Sequence, residues 1–168
     1  MKSVKFPAFS TSPGPDNSSV PVCLGCYRKV NGSYRCPGCK WPLCSESCRR
    51  LASHAAECAL MCFRRATVTV PWFDKPCAYY DAILPLRVLL LKMHNPKVYR
   101  LVALLMDHKE DLDDAAHRHR QKVVDFIRKT LKLAQDFTEE ECHKVLGVLT
   151  VNSFVVHDSE EGNMDLIG

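Results

Sequence analysis

The apolar positions of the chain change their rhythm several times, and each change marks a boundary. Residues 1 to 22 include "FSTSPGPDNSSVP", rich in Ser, Pro, Gly, Asn and Asp with little to bury, so they read as a flexible lead-in. Residues 67 to 81, "TVTVPWFDKPCAYYD", alternate briefly around two prolines and predict a short extended connector within 59 to 81. From 82 onward the period becomes helical. "AILPLRVLLLKMH" predicts a buried helix over 82 to 94, with Pro85 tolerated in its first turn and Asn95-Pro96 as its stop. A second helix starts near Pro96 and carries Val98, Leu101, Val102, Leu105 and Met106 at helical spacing. "HKEDLDDAAHRHR" reads as an exposed turn with helical edges. A third helix, about 118 to 135, has Val123, Val124, Ile127, Leu131 and Ala134 on one face. Thr138 and Glu141 form a capping box for a fourth over 139 to 149. After it "LTVNSFVVHD" is β-branched and strand-like, and 150 to 168 read as the opening of a β-rich segment. No repeat is evident in the sequence.

Cysteine usage changes this picture. Of ten cysteines in 168 residues, eight lie between Cys23 and Cys62, so one short segment is stabilised by its own chemistry while the rest folds by burial. The first residues lack the apolar core of a signal peptide, and runs such as "VLLL" and "LVALLM" are far too short to span a bilayer. The chain reads as intracellular, in the nucleus, the cytoplasm or both, with no membrane partner. In that reducing setting thiols stay free unless a metal takes them, which favours zinc over disulfides.

The formal charge of +4 raises nucleic-acid binding as a class. Its location argues against it. Arg28, Lys29, Arg35, Lys40, Arg49 and Arg50, against Glu46 and Glu57, place the whole excess between Cys23 and Cys58. Seven thiolates binding two divalent ions there take away three of the four charges, so the basicity compensates metal sites.

The ligand candidates are Cys23-x2-Cys26, Cys36-x2-Cys39, Cys44-x3-Cys48 and His54-x3-Cys58. An x2 pair suits a tight knuckle, in which two sulfurs reach one ion at about 2.3 Å. An x3 pair on a helix projects both ligands from one face. Two tetrahedral sites need eight donors, and eight are present. Spacing alone allows sequential pairing, first with second and third with fourth, or interleaving, first with third and second with fourth. Interleaving cross-links a segment too short to bury a core. A RING finger also interleaves, but it has its histidine near the middle and an x2 pair last.

This ordered set resembles the MYND-type zinc finger, with all eight positions matched. The resemblance implies the interleaved sites: Cys23, Cys26, Cys44 and Cys48 on one Zn²⁺, and Cys36, Cys39, His54 and Cys58 on the other. It extends through "LPLRVLLLKMHNP" and "VLTVNSFVVHD" to the SET and MYND domain family of protein lysine methyltransferases, in its arthropod-like branch. The expected fold is therefore a small zinc-stabilised MYND finger at 23 to 58, an all-α module at 82 to 149, and the start of a SET region at 150 to 168. In that family the asparagine matching Asn152 lies by the S-adenosylmethionine pocket. The Gly-x-Gly cofactor strand, the Asn-His-Ser-Cys motif, a later tyrosine and the closing cysteine cluster are missing from this sequence, so the resemblance implies a product truncated before the SET core. The function so implied is zinc binding and protein–protein interaction, with proteins, proline-rich peptides and chromatin proteins as the partner classes. Histone or other protein lysine methylation with S-adenosylmethionine is the alternative for a longer form.

Further residues have plainer readings. Cys62, four beyond Cys58, reads as a buried helix residue with a spare-ligand role as the rival. Cys77 and Cys142 read as packing residues. His117 and His119 read as solvated surface, and Asp111, Asp113 and Asp114 as an acidic turn without the glycine and glutamate of a calcium loop. Trp41 is read either as a peptide-docking edge or as a cover for the metal cluster.

Overall fold

A computed structural model describes residues 20–107 and 113–152. Two knuckles open the fold, and they share one geometry. In each, the residue after the second cysteine takes a left-handed conformation, Tyr27 at φ 66° and Lys40 at φ 67°. Its N–H returns to the carbonyl of the first cysteine, Tyr27 to Cys23 at 2.8 Å and Lys40 to Cys36 at 3.0 Å. The first cysteine's N–H closes each loop on the carbonyl five residues on, Cys23 to Arg28 and Cys36 to Trp41, both at 2.8 Å. Residues 23–28 and 36–41 are thus a structural repeat that the sequence shows only as two Cys-x-Gly-Cys strings.

The second knuckle is the tip of a small hairpin. Strands β1 (Tyr34–Arg35) and β2 (Pro42–Leu43) pair antiparallel, with Tyr34 opposite Leu43. A short helix α1 (Glu46–Arg49) and a longer α2 (Ala52–Phe63) follow. Residues 66 to 70 then run extended, burying Ala66, Val68 and Val70 while Thr67 and Thr69 face solvent. The Arg35 guanidinium donates to the Val70 carbonyl at 3.2 Å, which holds this connector beside the hairpin.

A 3-10 turn over Ala78–Ala82 leads into α3 (Ile83–His94), whose Ile83, Leu84, Leu86, Val88, Leu89 and Leu90 are buried. Asn95 ends α3 and caps α4 (Pro96–Ala103) by accepting the Val98 N–H, with Pro96 in the first turn, where no amide is needed. Helix α5 spans Asp114–Asp125, capped by Asp113, and passes into a π turn over Phe126–Thr130. Helix α6 runs Glu139–Asn152 and packs on α3, α4 and α5. Its capping box is present: Thr138 Oγ1 accepts the Glu141 N–H at 3.1 Å, and a Glu141 carboxylate oxygen accepts the Thr138 N–H at 2.9 Å. One continuous core joins the cysteine-rich segment to the helices, from Leu24, Trp41 and Leu43 through Met61 and Tyr80 to Leu86, Leu89, Ile127 and Phe137.

Four expectations change. The second helix ends at Ala103, so Leu105 and Met106 lie beyond it. The third helix does not run unbroken over 118 to 135; the π turn widens it after Asp125, the chain turns at Lys132 with φ 60°, and Leu133 rather than Ala134 fills the core. Residues 149–152 are helical, not strand-like. Their β-branched side chains are accommodated because Thr150 Oγ1 donates to the Leu146 carbonyl at 2.8 Å and tertiary packing outweighs propensity. Cys62 is on α2 as expected but exposed rather than buried. The lead-in at 1–19, part of the acidic turn at 108–112, and the expected β-rich start at 153–168 lie outside the described residues. No described helix is long and apolar enough to cross a membrane.

Candidate metal centres

The four ligand pairs come together as two quartets. Cys23, Cys26, Cys44 and Cys48 form one; Cys36, Cys39, His54 and Cys58 form the other, the donor atoms in each lying within 4.8 Å of one another. The first pair meets the third and the second meets the fourth, so the grouping is interleaved. In each quartet a knuckle supplies two donors. In the second, His54 and Cys58 of α2 supply the other two from one helix; in the first, Cys48 is on α1 but Cys44 stands in the bend between β2 and that helix, so this pair is not helical as its spacing suggested.

The shortest donor separations in each set suit a tetrahedral ion. Donors about 2.3 Å from a central zinc stand about 3.8 Å apart. Cys26 and Cys44 have sulfurs 3.5 Å apart, Cys36 and Cys58 3.6 Å, and Cys39 Sγ lies 3.8 Å from His54 Nε2. A disulfide would bring two sulfurs to about 2.05 Å, and all ten cysteines are free. Soft sulfur and imidazole donors in closed sets of four match the structural sites zinc prefers.

Electrostatics argue the same way. Burial opposes ionisation of Cys23, yet N–H groups from Cys26, Cys44 and Gly25 bring its thiol down to about 7. Cys36 likewise falls to about 6, because His54 and the N–H groups of Cys39 and Gly38 outweigh burial. Four other ligand thiols, those of Cys39, Cys44, Cys48 and Cys58, go up. Burial and the adjacent sulfurs push Cys44 and Cys58 each to about 12, and burial with the Cys58 and Cys36 charges drives Cys39 well above the usual thiol range. Each quartet therefore accepts one thiolate readily and resists the next. A divalent cation at the centre removes that repulsion.

Behind the second quartet stands a buried polar chain. His54 turns Nε2 towards Cys39 and Nδ1 towards Glu57, whose Oε1 is 3.5 Å away. Glu57 is in turn gripped by Arg87 of α3 through Nε at 2.7 Å and Nη2 at 2.8 Å. The same guanidinium donates to the Tyr27 hydroxyl at 2.6 Å and the Leu24 carbonyl at 2.8 Å, both in the first knuckle. One arginine thus touches the backing of both quartets. At 3.5 Å the Nδ1–Glu57 contact is too long and poorly aligned for a hydrogen bond, but it sets a carboxylate behind the imidazole, where such a group orients a ring that binds metal. Burial lowers the His54 pKa, but Glu57 and Cys36 more than offset this and the net direction is up.

Neither Glu57 nor Arg87 belongs to a ligand spacing, but Arg87 is a lone cation inside the apolar run "LPLRVLLL", a usable signal for a buried partner. Trp41 is fully buried, edge-on to Tyr80 with ring centroids 5.1 Å apart. It is not an exposed docking edge. Cys77 and Cys142 are buried. His119 lies 3.5 Å from Asp81, and the His117 ring stacks on His143. Asn152 belongs to neither quartet; it ends α6, where its amide donates to the Val148 carbonyl at 2.8 Å and the Met106 carbonyl at 3.1 Å.

Compared with family models, curated proteins and solved structures, the chain matches none.

Proposed function

We propose that the chain is a zinc protein whose cysteine-rich segment is a MYND-type finger, binding two Zn²⁺ through Cys23, Cys26, Cys44 and Cys48 and through Cys36, Cys39, His54 and Cys58. The observation that carries this is the interleaved convergence of four ligand pairs into two closed sets of zinc-type donors. The finger and the α-helical module present one intracellular interaction unit of a SET and MYND type protein, with proteins or proline-rich peptides as partners and chromatin proteins among them. Because the segment has little core of its own, the ions supply its folding energy.

Two measurements test the reading. Elemental analysis of natively purified chain is expected to give two zinc ions per molecule, and chelation to unfold the cysteine-rich segment while reducing agent alone leaves it folded. Heteronuclear NMR of the zinc-loaded chain titrated with proline-rich peptides tests the interaction role, with saturable shifts expected. One ion or none overturns the metal reading, and flat titrations overturn the peptide partner. The Asn152 amide, which the resemblance would put by an S-adenosylmethionine pocket, donates here to the Met106 and Val148 carbonyls.

A further inference from the structure

We propose that Cys62 is a fifth metal-binding sulfur of the second quartet: a reserve ligand that replaces Cys58 and provides the route by which that ion exchanges with outside ligands. The inference rests on the zinc reading above and goes beyond it.

Three observations converge. On α2 the residues His54, Cys58 and Cys62 repeat at i, i+4 and i+8, so Cys62 continues the ligand face by one turn at the same spacing that pairs His54 with Cys58. Its sulfur lies 3.8 Å from that of Cys58, little more than the 3.6 Å between Cys58 and Cys36 inside the quartet. The knuckle also leaves room for it. A Cβ on Gly38 would stand 2.6 Å from Cys62 Sγ, 3.6 Å from Cys58 Sγ and 3.9 Å from Cys36 Sγ, so three sulfurs border the space above one glycine.

Position explains the division of labour. Cys58 is half-buried, whereas Cys62 is exposed and lies in the last turn of α2, one residue before the helix ends at Phe63. A closed structural site needs no fifth donor to hold its ion. A solvent-facing thiol against its rim serves exchange instead. Zinc can pass through five-coordination, so the Cys62 sulfur bonds to the ion as the Cys58–zinc bond breaks. Cys62 gives up its proton and Cys58 takes one up, with no change of oxidation state. Any ion so held would have one donor on the exposed end of α2, where an incoming thiol or chelator could displace it.

The test uses the full chain loaded with zinc or cobalt. Native mass spectrometry is expected to find two ions in the wild type, two in Cys58→Ala and one in Cys58→Ala/Cys62→Ala. The cobalt spectrum of Cys58→Ala should keep the signature of three thiolates and one imidazole. Cys62→Ala should keep both ions yet release one several-fold more slowly to a chromophoric chelator. A wild type with two ions whose Cys58→Ala variant holds one sinks this inference and leaves the zinc reading standing; a wild type with none sinks both. If Cys58→Ala does not fold, the Cys62→Ala release rate decides: slower release supports the exchange role, and a rate equal to wild type overturns it.

Discussion

Glu57 and Arg87 form a two-pronged ion pair, at 2.7 and 2.8 Å, between the helix that carries His54 and the first long helix of the α module. Both side chains are nearly sealed from water, at 1% and 10% exposure. Such a pair contributes little net stability relative to a well-packed apolar pair, but removing one partner leaves the other charge buried and uncompensated. Arg87→Met should therefore cost about 3–5 kcal/mol in denaturant unfolding of the zinc-loaded chain. Arg87→Met with Glu57→Gln should cost clearly less. Equal losses in the single and double variants would show that Arg87 acts through its Tyr27 and Leu24 contacts and not through the pair.

The interleaved grouping makes a directional prediction. Cys44→Ala removes a donor from the set that includes Cys23 and leaves the set around His54 with all four. One ion should remain, and its cobalt spectrum should show three thiolates and an imidazole, with the His54 ring still shifted by metal in NMR. Loss of imidazole coordination in this variant would mean that the pairs are used in sequence.

At the other end of the molecule, Glu141 predicts how stability responds to acid. Burial acts to raise its pKa, but the Lys92 ammonium and the Thr138 N–H and hydroxyl outweigh this and hold it below the usual carboxylate range. A depressed folded pKa contributes stability that is fully present above the unfolded value and is lost as pH falls through the folded one. Glu141→Gln should thus cost about 0.5–1 kcal/mol at neutral pH, as expected for a partly exposed cap and ion pair. The penalty should begin to fade below the ordinary glutamate pKa of about 4.3, where the unfolded chain takes up its proton, and vanish as pH falls through the lower folded value. Urea midpoints at pH 7 and pH 3 measure this. A penalty unchanged at pH 3 would refute it.

The eight candidate donors were legible because their pairing is local: close spacing on a knuckle or a helix keeps two side chains within reach of each other. Helices α3, α4 and α6 were legible for the same reason, since Asn95-Pro96 and the Thr138–Glu141 box are local signals. What the sequence hid is set by distant contacts. The pairing of quartets depends on how the hairpin folds back. The role of Arg87 depends on α3 docking against both knuckles, and the helical state of Leu149–Asn152 depends on α6 packing against α3 and α4. Trp41 shows the limit well: its aromatic character fitted a docking edge and a buried cover equally, and only the position of Tyr80 settles it as buried.

The two knuckle glycines, identical in the pattern Cys-x-Gly-Cys, should respond oppositely to the same change. A Cβ at Gly25 would meet the Cys48 carbonyl oxygen at 2.6 Å and the Cys48 Cβ at 2.9 Å. These atoms belong to backbone and to a ligand's root, so relief requires α1 to move and carries Cys48 away from its quartet. Gly25→Ala should weaken the first ion selectively, by about 1–3 kcal/mol if the cost matches ordinary overpacking. At Gly38 the colliding atom is the Cys62 sulfur, at the end of a side chain on an exposed face that can rotate away. Gly38→Ala should leave both ions bound and the fold intact, while displacing Cys62 from the rim. Its chelator release should then match that of Cys62→Ala. Competition titrations with a chromophoric chelator distinguish the cases: weakening of the second ion by Gly38→Ala equal to the weakening of the first by Gly25→Ala would show that the glycines serve a common knuckle geometry and that the neighbours of their missing side chains are immaterial.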